Sequence, residues 1–347
     1  MPARNENDPR WKRIATAGVV LLCLAYAVFA IAIWMLLSLA GDRWWPATFL
    51  LFSPRWIWVV PVVVLLPLAL AFRKRWALVV VAAAAVILFG PMRFRVPVRV
   101  PWSDGASGRT VRLVTANLHN RQADPAVLDA FVAQTHADVV VLQDYASIVH
   151  LAFLRQPGWH AKASNGLLIA SRWPLTYRNW FTLADPLPSD LESKWFIPIH
   201  GAVMCCEVEA PGGTFRLVNL HLSSPHRPLD TFREDRQAAE VLLASNSNRR
   251  WKQSQEIARQ VRQIGGPFVL AGDFNTPDDS PIFRSSWSDF SDAFDTAGFG
   301  FGTTYVKHHT WLRIDHVLYG DGWRCGACCT SGDVGSGHRA VFAELAW

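Results

Sequence analysis

No run long enough to cross a bilayer occurs after residue 92 of this 347-residue chain, and no internal repeat of fixed period or low-complexity segment occurs anywhere. A solenoid and a compositionally biased, disordered chain are thereby excluded. No Ser or Cys nucleophile motif stands out, which turns attention from a covalent intermediate to attack by water. Cysteine is sparse, at six residues. The pattern lacks the matched second pair or the histidines of a zinc site. Cys23 falls in an apolar run, while Cys205, Cys206, Cys325, Cys328 and Cys329 are available for disulfides if their surroundings are oxidising. A dense basic patch is also missing from the C-terminal two thirds. The net charge of +6 therefore speaks for membrane topology and anionic head groups before it speaks for a nucleic-acid groove.

What is present early is apolar. Three runs, at about 14–40, 56–72 and 76–91, predict three transmembrane helices, since a hydrocarbon core of roughly 30 Å needs about 17–25 apolar residues. The first is too long for a cleaved signal. Trp44, Trp45, Trp56 and Trp58 fall near span ends, where indoles favour the interface. Arg4, Arg10, Lys12 and Arg13 before the first span, and Arg73, Lys74 and Arg75 between the second and third, favour the cytoplasm. An odd number of spans then carries the rest of the chain outside, although Arg93, Arg95 and Arg99 oppose that bias. The expected organisation is a cytoplasmic N-terminus over 1–13, a transmembrane region over 14–91, a linker over 92–110 and a catalytic domain over 111–347. The localisation that follows is a multi-pass protein of the cell membrane with an extracytoplasmic domain.

From Val111 short apolar strands alternate with amphipathic stretches, an α/β pattern. Strands are expected over Val111–Leu118, Asp138–Leu142, Gly166–Ala170, Ala202–Val208, Phe215–Leu222, Pro267–Ala271, Thr310–Tyr319 and Arg339–Leu345. Helices are expected over Pro125–His136, capped by Asp124, and over Thr231–Ile264 with a break near Ser245–Asn248. Polar residues recur where the strands end: Asn117, Asp144, His221, Asp273, Asn275, Asp315 and His338. Carboxylates, carboxamides and imidazoles in that position suit metal-assisted hydrolysis of a phosphoester. Asn117 and Asp144 suit a hard divalent ion, Mg²⁺ or Mn²⁺, that neutralises phosphate charge. Asp273 can activate water, Asn275 can bind phosphate, and His221 and His338 can stabilise developing negative charge. Asp315 can hold His338 in one tautomer.

These residues sit in motifs that resemble the endonuclease/exonuclease/phosphatase superfamily, which includes deoxyribonuclease I, sphingomyelinases and inositol-polyphosphate phosphatases. The resemblance runs, in family order, through Thr115-Ala116-Asn117-Leu118, Leu142-Gln143-Asp144, Asn219-Leu220-His221-Leu222, Gly272-Asp273-Phe274-Asn275-Thr276-Pro277, Arg313-Ile314-Asp315-His316-Val317-Leu318 and Gly335-Ser336-Gly337-His338. It implies a four-layer α/β sandwich, two packed mixed sheets flanked by helices, here preceded by a three-helix membrane region. Two departures stand out. Asp144 replaces the usual glutamate, and Gly337 replaces the aspartate before the last histidine. Asp333 is the nearest carboxylate in sequence available to compensate. The spans followed by this domain are similar to membrane-bound members implicated in teicoplanin resistance, which implies membrane lipids as partners and a phosphorylated lipid or lipid-linked envelope substrate. An anchored nuclease acting on DNA or RNA, and a degraded scaffold, are the competing expectations. No obligate protein partner is implied.

The remaining polar residues have plainer readings. His316 reads as a structural strand histidine, His308-His309 as a strand cap, and Asp278-Asp279 as the start of a helix at Ser280. His119 is balanced between site and scaffold, and His226-Arg227 between anion binding and a solvated loop. Trp180, Trp195 and Phe196 read as core packing or as a substrate surface.

Overall fold

The computed structural model describes residues 10–97, 110–119, 122–146, 150–178 and 201–347. Arg4, Arg99, Trp180, Trp195 and Phe196 lie outside the described residues, as does most of the expected linker. The N-terminal region is helical: α1 (Arg10–Ala40), α2 (Trp45–Leu51), a 3-10 turn over Arg55–Val59, α3 (Val62–Phe72) and α4 (Lys74–Phe89). Helices α1, α3 and α4 pack together through Cys23, Ala30, Leu37, Leu65, Ala69, Val80, Ala83 and Ile87. Their other faces present Leu21, Val28, Ile31, Val63, Val64, Leu78 and Val81, each more than half exposed. A helix apolar on every side suits an apolar solvent better than water. Helix α1 and the stretch Arg55–Phe72 are long and apolar enough to cross a membrane. Among the described residues two helices meet that length, against an expected three. Helix α4 has 16 residues, or about 24 Å at 1.5 Å per residue.

Two six-stranded sheets follow. The first contains β1 (Thr110–Asn117), β2 (Val139–Gln143), β3 (His160–Ser164), β4 (Leu167–Ser171), β11 (Arg324–Thr330) and β12 (Val341–Ala346), in the order β11-β12-β1-β2-β4-β3. The second contains β5 (Leu175–Arg178), β6 (Ala202–Ala210), β7 (Gly213–His221), β8 (Phe268–Asp273), β9 (Ser291–Asp292) and β10 (Asp315–Tyr319), in the order β5-β6-β7-β8-β10-β9. Both are mixed, with β1 and β2 parallel in one and β7 and β8 parallel in the other.

Strand periodicity explains the layers. Val111, Leu113, Val139 and Val141 face Leu217, Val269 and Ala271 across the inter-sheet core. The alternate residues Val114, Ala116, Val140 and Leu142 turn outward to pack with Leu128 and Val132 of α5 (Pro125–Gln134). Val218, Leu220 and Leu270 turn the other way, onto Ile257, Ala258 and Val261 of a long helix, Arg236–Ile264. Strands buried on both faces read as continuous apolar runs rather than alternating ones. The result is the expected helix–sheet–sheet–helix sandwich.

The remaining helices are α6 (His226–Thr231), α7 (the long Arg236–Ile264), α8 (Pro281–Trp287) and α9 (Ala293–Ala297). Helix α7 runs unbroken through Ser245–Asn248, contrary to the expected break. Two polar side chains there have partners, Asn246 donating to the Ser224 carbonyl and accepting from Arg250, and Ser247 accepting from Arg250. Strands β3, β5, β9 and β11 lie at or beside sheet edges, and all four were missed because they lack an apolar run. The expected strand from Thr310 begins only at Asp315. All six cysteines are free, so the disulfides the sequence allowed are not formed among the described residues.

Candidate active site

The inward-facing parity of both sheets, followed to the strand ends, gives the site. On β1 it passes from Leu113 and Thr115 to Asn117, on β7 from Leu217 and Asn219 to His221, and on β8 from Val269 and Ala271 to Asp273. On the antiparallel β10 it runs back from Val317 to Asp315. Register sets these ends side by side: Asn117 opposite Gln143, His221 opposite Asp273, and Asp315 opposite Asp273. The site is therefore the polar cap of the inter-sheet core.

Six of the seven expected side chains converge directly. Asn117 Nδ2 donates to Asp273 Oδ2 at 2.8 Å, crossing from one sheet to the other. His221 lies between two carboxylates, with Nδ1 3.3 Å from Asp144 and Nε2 3.7 Å from Asp273. His338 Nδ1 is 3.0 Å from Asp315 Oδ2, the orienting pair expected from the sequence. The seventh, Asn275, joins through its backbone. Its N–H donates to Asp273 Oδ1 at 2.8 Å, while its side-chain amide donates to the Leu222 carbonyl. That places the Asn275 amide on the protein, where the sequence suggested a substrate phosphate.

Three residues around the site adopt left-handed backbone: His119, Asp144 and Asn275, with φ of 42°, 50° and 48°. Such conformations are uncommon outside glycine and concentrate at functional sites. Asp144 leaves the strand parity by this turn, which lets its carboxylate reach His221. Gly272 is required for a different reason. Its φ is 144°, and a Cβ there would run into the Leu220 carbonyl on the neighbouring strand.

Beneath this layer a buried polar bridge ties the sheets together. Gln143 Nε2 donates to Asn219 Oδ1 at 2.8 Å and to Thr115 Oγ1 at 3.1 Å, and Asn219 Nδ2 donates to the Leu142 and Leu168 carbonyls. Ser336 Oγ donates to the Asn117 carbonyl and accepts from the His338 N–H, fixing the last motif to the first. Neither Asn219 nor Ser336 was singled out from the sequence, although both lie within recognised motifs.

Burial and charge shift the titrations apart. Asp273, almost fully buried, is pushed up to about 6 by desolvation and by the neighbouring Asp315 charge, against the pull of His338, His221 and Asn117. Burial alone would pull His221 down, but its bond to Asp144 and the charges of Asp273 and Asp315 outweigh this and raise it to about 9. Burial likewise opposes protonation of His338, and Asp315 and Asp273 overcome it, so its pKa is raised. Asp144 moves down, because the His221 bond and charge outweigh desolvation.

These carboxylates fit a hard divalent cation. Asp273, Asp315 and His338 each offer a ligand atom within 4.8 Å of the others. The nearness of Asp315 to His338 is explained by their hydrogen bond, so the oxygens are the better ligand candidates. Asp315 Oδ1 is buried with no partner among the described residues, and Asp144 keeps a quarter of its side chain exposed. Asp144 and Asp273 close on His221 from two sides, and raise its pKa, because that point favours positive charge.

The other histidines divide cleanly. His316 points to the outer face, bonded to Asp292 at 2.9 Å and packed against Phe274 and Phe283, as a structural residue. His119 lies beside His338, ring centroids 6.2 Å apart, and its N–H donates to Asn117 Oδ1. His226 begins α6 and packs on Tyr305, which in turn packs on His338. His308-His309 belong to a 3-10 turn over Lys307–His309. Asp278 and Asp279 do not start the next helix, whose cap is Ser280. They are buried ion-pair partners instead, Asp278 of Arg93 and Arg313, and Asp279 of Arg55.

Those pairs join the N-terminal helices to the site. Arg250 and Asp42 form a fully buried ion pair at 3.0 Å, and Arg250 Nη1 donates to the Asn275 carbonyl at 3.2 Å. Arg95 pairs with Asp295, and its backbone bridges to Gly300, so the first residues of the expected linker are docked on the domain. No sequence signal marks these partners, which lie about 200 residues apart.

A family profile described as "Endonuclease/Exonuclease/phosphatase family" matches residues 114–336. A search of curated proteins finds no match. Among solved structures, an endonuclease/exonuclease/phosphatase from Beutenbergia cavernae DSM 12333 is similar at 19% identity and a TM-score of 0.46, over 69% of this chain and 72% of that one. A family protein from Bacteroides thetaiotaomicron is similar at 15% identity and 0.46, over 69% and 98%. The human Nocturnin catalytic domain with bound sulfate is similar at 13% identity and 0.46, over 69% and 93%. With the profile spanning the site from β1 to the loop before His338, the chain belongs to the endonuclease/exonuclease/phosphatase family and is a metal-dependent hydrolase of phosphoester bonds.

Proposed function

We propose that the protein is a membrane-anchored phosphoesterase acting on a phosphoester or pyrophosphate of a lipid or lipid-linked substrate. The observation that carries this reading is how directly the site is joined to the apolar helices. Asp279 lies only six positions after Asp273 and bonds to Arg55 between two of those helices. At 3.3–3.6 Å per residue the chain between them spans at most about 22 Å. A head group at the membrane surface is thus within reach of the site, and the many exposed Leu, Val and Ile side chains of α1, α3 and α4 supply the lipid contact.

Contacts at the helix ends favour three crossings. Asp42 follows α1, Arg55 precedes α3 and Pro91 follows α4, and Arg55 bonds to both the Pro91 carbonyl and Asp279. If α1 crosses, α4 returns the chain to the same side, and the short α4 is accommodated by local thinning or tilt. Arg10, Lys12, Arg13 and Arg73–Arg75 then occupy the opposite, cytoplasmic side. The domain over 111–347 lies outside.

In the reaction Asp273 accepts a proton from the attacking water, a role suited to a carboxylate raised towards neutrality. His338, held by Asp315, and His221 donate to phosphate oxygens as charge builds up. A divalent ion, Mg²⁺ or Mn²⁺, held by Asp144 with Asp273 and Asn117 nearby, would neutralise phosphate charge and stabilise the leaving oxygen.

The test is hydrolysis by the full-length protein in detergent with Mg²⁺, against lipid phosphates and against DNA and RNA. Release of phosphate from lipid substrates, lost on chelation, is expected. Cleavage of nucleic acid alone would overturn the lipid assignment in favour of an anchored nuclease.

A further inference from the structure

Gly337 stands where the family pattern has an aspartate, and the structure shows what fills the vacated volume. A Cβ at this position would collide with the stem of Lys307, 2.6 Å from Cγ and 2.8 Å from Cδ and closer still to Cε. Glycine at φ 82° and the lysine stem are thus complementary, and a carboxylate beside His338 has been exchanged for a cation. The backbone holds the exchange in place, since the Val306 N–H donates to the Gly337 carbonyl.

The ammonium feels the charge of Asp333 through space but is not bonded to it. Lys307 Nζ donates to the Gln122 amide oxygen at 3.0 Å and forms no ion pair with a carboxylate among the described residues. An ammonium has three donors, so two remain. Its charge is felt at the site, where it helps to hold the His119 pKa down, after burial. The turn that carries Lys307 touches the N-terminal helical region. Two residues on, the His309 carbonyl accepts from Trp56 Nε1 at 3.0 Å, and Trp56 sits in the turn before α3.

We infer that Lys307 is an anion-binding residue by which this site selects a terminal phosphate over an internal phosphodiester. Replacing a carboxylate by an ammonium changes the local charge by two units. A terminal phosphate carries about −1.5 to −2 at neutral pH, whereas each phosphate of a diester backbone carries one negative charge. The extra charge of the terminal group is the part an added cation can reward. The inference rests on the phosphoesterase reading of the site and narrows it, from phosphoesters generally to monoesters and the terminal phosphate of diphosphates.

The experiment uses full-length protein in detergent, as wild type, Lys307→Met and Lys307→Arg. Methionine keeps an unbranched stem over Gly337 and removes only the charge, and arginine keeps the charge. Binding of inorganic phosphate in the presence of Mg²⁺ is measured by calorimetry. Hydrolysis is measured as the ratio of kcat/KM for p-nitrophenyl phosphate to that for bis(p-nitrophenyl) phosphate. In Lys307→Met, phosphate binding is expected to weaken about tenfold and the monoester preference to fall by a similar factor, with both restored to within about threefold in Lys307→Arg. Unchanged phosphate affinity in Lys307→Met, or an equal loss on both esters, would overturn the inference. If neither ester is hydrolysed while phosphate binding still depends on Lys307, the catalytic reading fails and the anion site stands.

Discussion

Asp42→Asn tests most severely whether the N-terminal helices are part of the catalytic structure or a mere tether. Asp42 and Arg250 are fully buried and 3.0 Å apart. Arg250 makes further bonds to Asn246, to Ser247 and to the Asn275 carbonyl. Removing the carboxylate leaves a guanidinium without a counter-charge in the interior, and breaking a buried pair in this way costs about 3–5 kcal/mol. For a domain of this size 1 kcal/mol moves Tm by about 2–4 °C, so a fall of roughly 6–20 °C is expected in a thermal melt of the detergent-solubilised protein. Asp42→Leu combined with Arg250→Met should recover most of that loss, because an apolar pair of similar volume avoids the desolvation of both charges. Activity should not recover with it, since the Asn275 carbonyl has lost its donor and the loop after Asp273 its support. A melt of Asp42→Asn within 2 °C of wild type would refute the coupling. Full activity in the stable double variant would show that Arg250 is scaffold only.

Other expectations follow from single features. Gly272→Ala should prevent accumulation of folded protein, since its Cβ has no room beside the Leu220 carbonyl; normal yield and Tm would show that β7 and β8 can separate there. Asp273→Asn should lower kcat by about 10²–10⁴, the usual range for losing a general base, and a kcat within threefold of wild type would remove Asp273 from that role. Asn219→Leu should cost about 1–3 kcal/mol, because it removes one of the two acceptors of the buried Gln143 amide, a loss readable by denaturant unfolding. Asp278 is held well below the usual carboxylate range: desolvation opposes ionisation, but Arg313 and Arg93 outweigh it. A carboxyl depressed by folding contributes stability above its unfolded pKa, about 3.9, and loses it as pH falls below that towards the folded value. Stability should therefore drop between about pH 4 and pH 2 in wild type, and less steeply in Asp278→Asn; equal slopes would deny Asp278 its part in acid unfolding.

The fold was legible in the sequence where local pattern and final environment agree. The two-faced burial of β1, β2, β7 and β8 produces continuous apolar runs, and the change to polar residues at Asn117, His221 and Asp273 marks where each strand leaves the core. Strand β11, Arg-Cys-Gly-Ala-Cys-Cys-Thr, carries no such run and is defined by pairing with β12, a partner contributed later in the chain. Asp278 and Asp279 show the limit for charged residues. After the Gly-Asp-Phe-Asn motif they look like helix-capping carboxylates, and nothing nearby in sequence reveals that Arg93, Arg313 and Arg55 will enclose them. Lys307 was silent for the same reason, since its role is set by the missing side chain at Gly337.

The arginines after α4 illustrate how long-range pairing can reverse a local reading. By composition, Arg93 and Arg95 oppose an extracytoplasmic domain, because basic residues beside a span favour the cytoplasm. In the folded protein neither is a free charge beside lipid. Arg93 bonds to Asp278 at 2.5 Å, Arg95 to Asp295 at 2.8 Å, and Arg313 closes the group onto Asp278, Asp292 and Asp295. Three arginines meet three aspartates, so this cluster has almost no net charge, whereas Arg73, Lys74 and Arg75 form no ion pair among the described residues. Under the proposed membrane-anchored reading, the orienting bias is then the one between α3 and α4. Reporter fusions after residue 110 should place the domain outside. Charge reversal at Arg73–Arg75 should disturb that orientation more than neutralising Arg93 and Arg95, which should chiefly loosen the domain from the helices. A cytoplasmic reporter in the unaltered protein would instead mean that α4 does not cross, and would remove the envelope substrate from consideration.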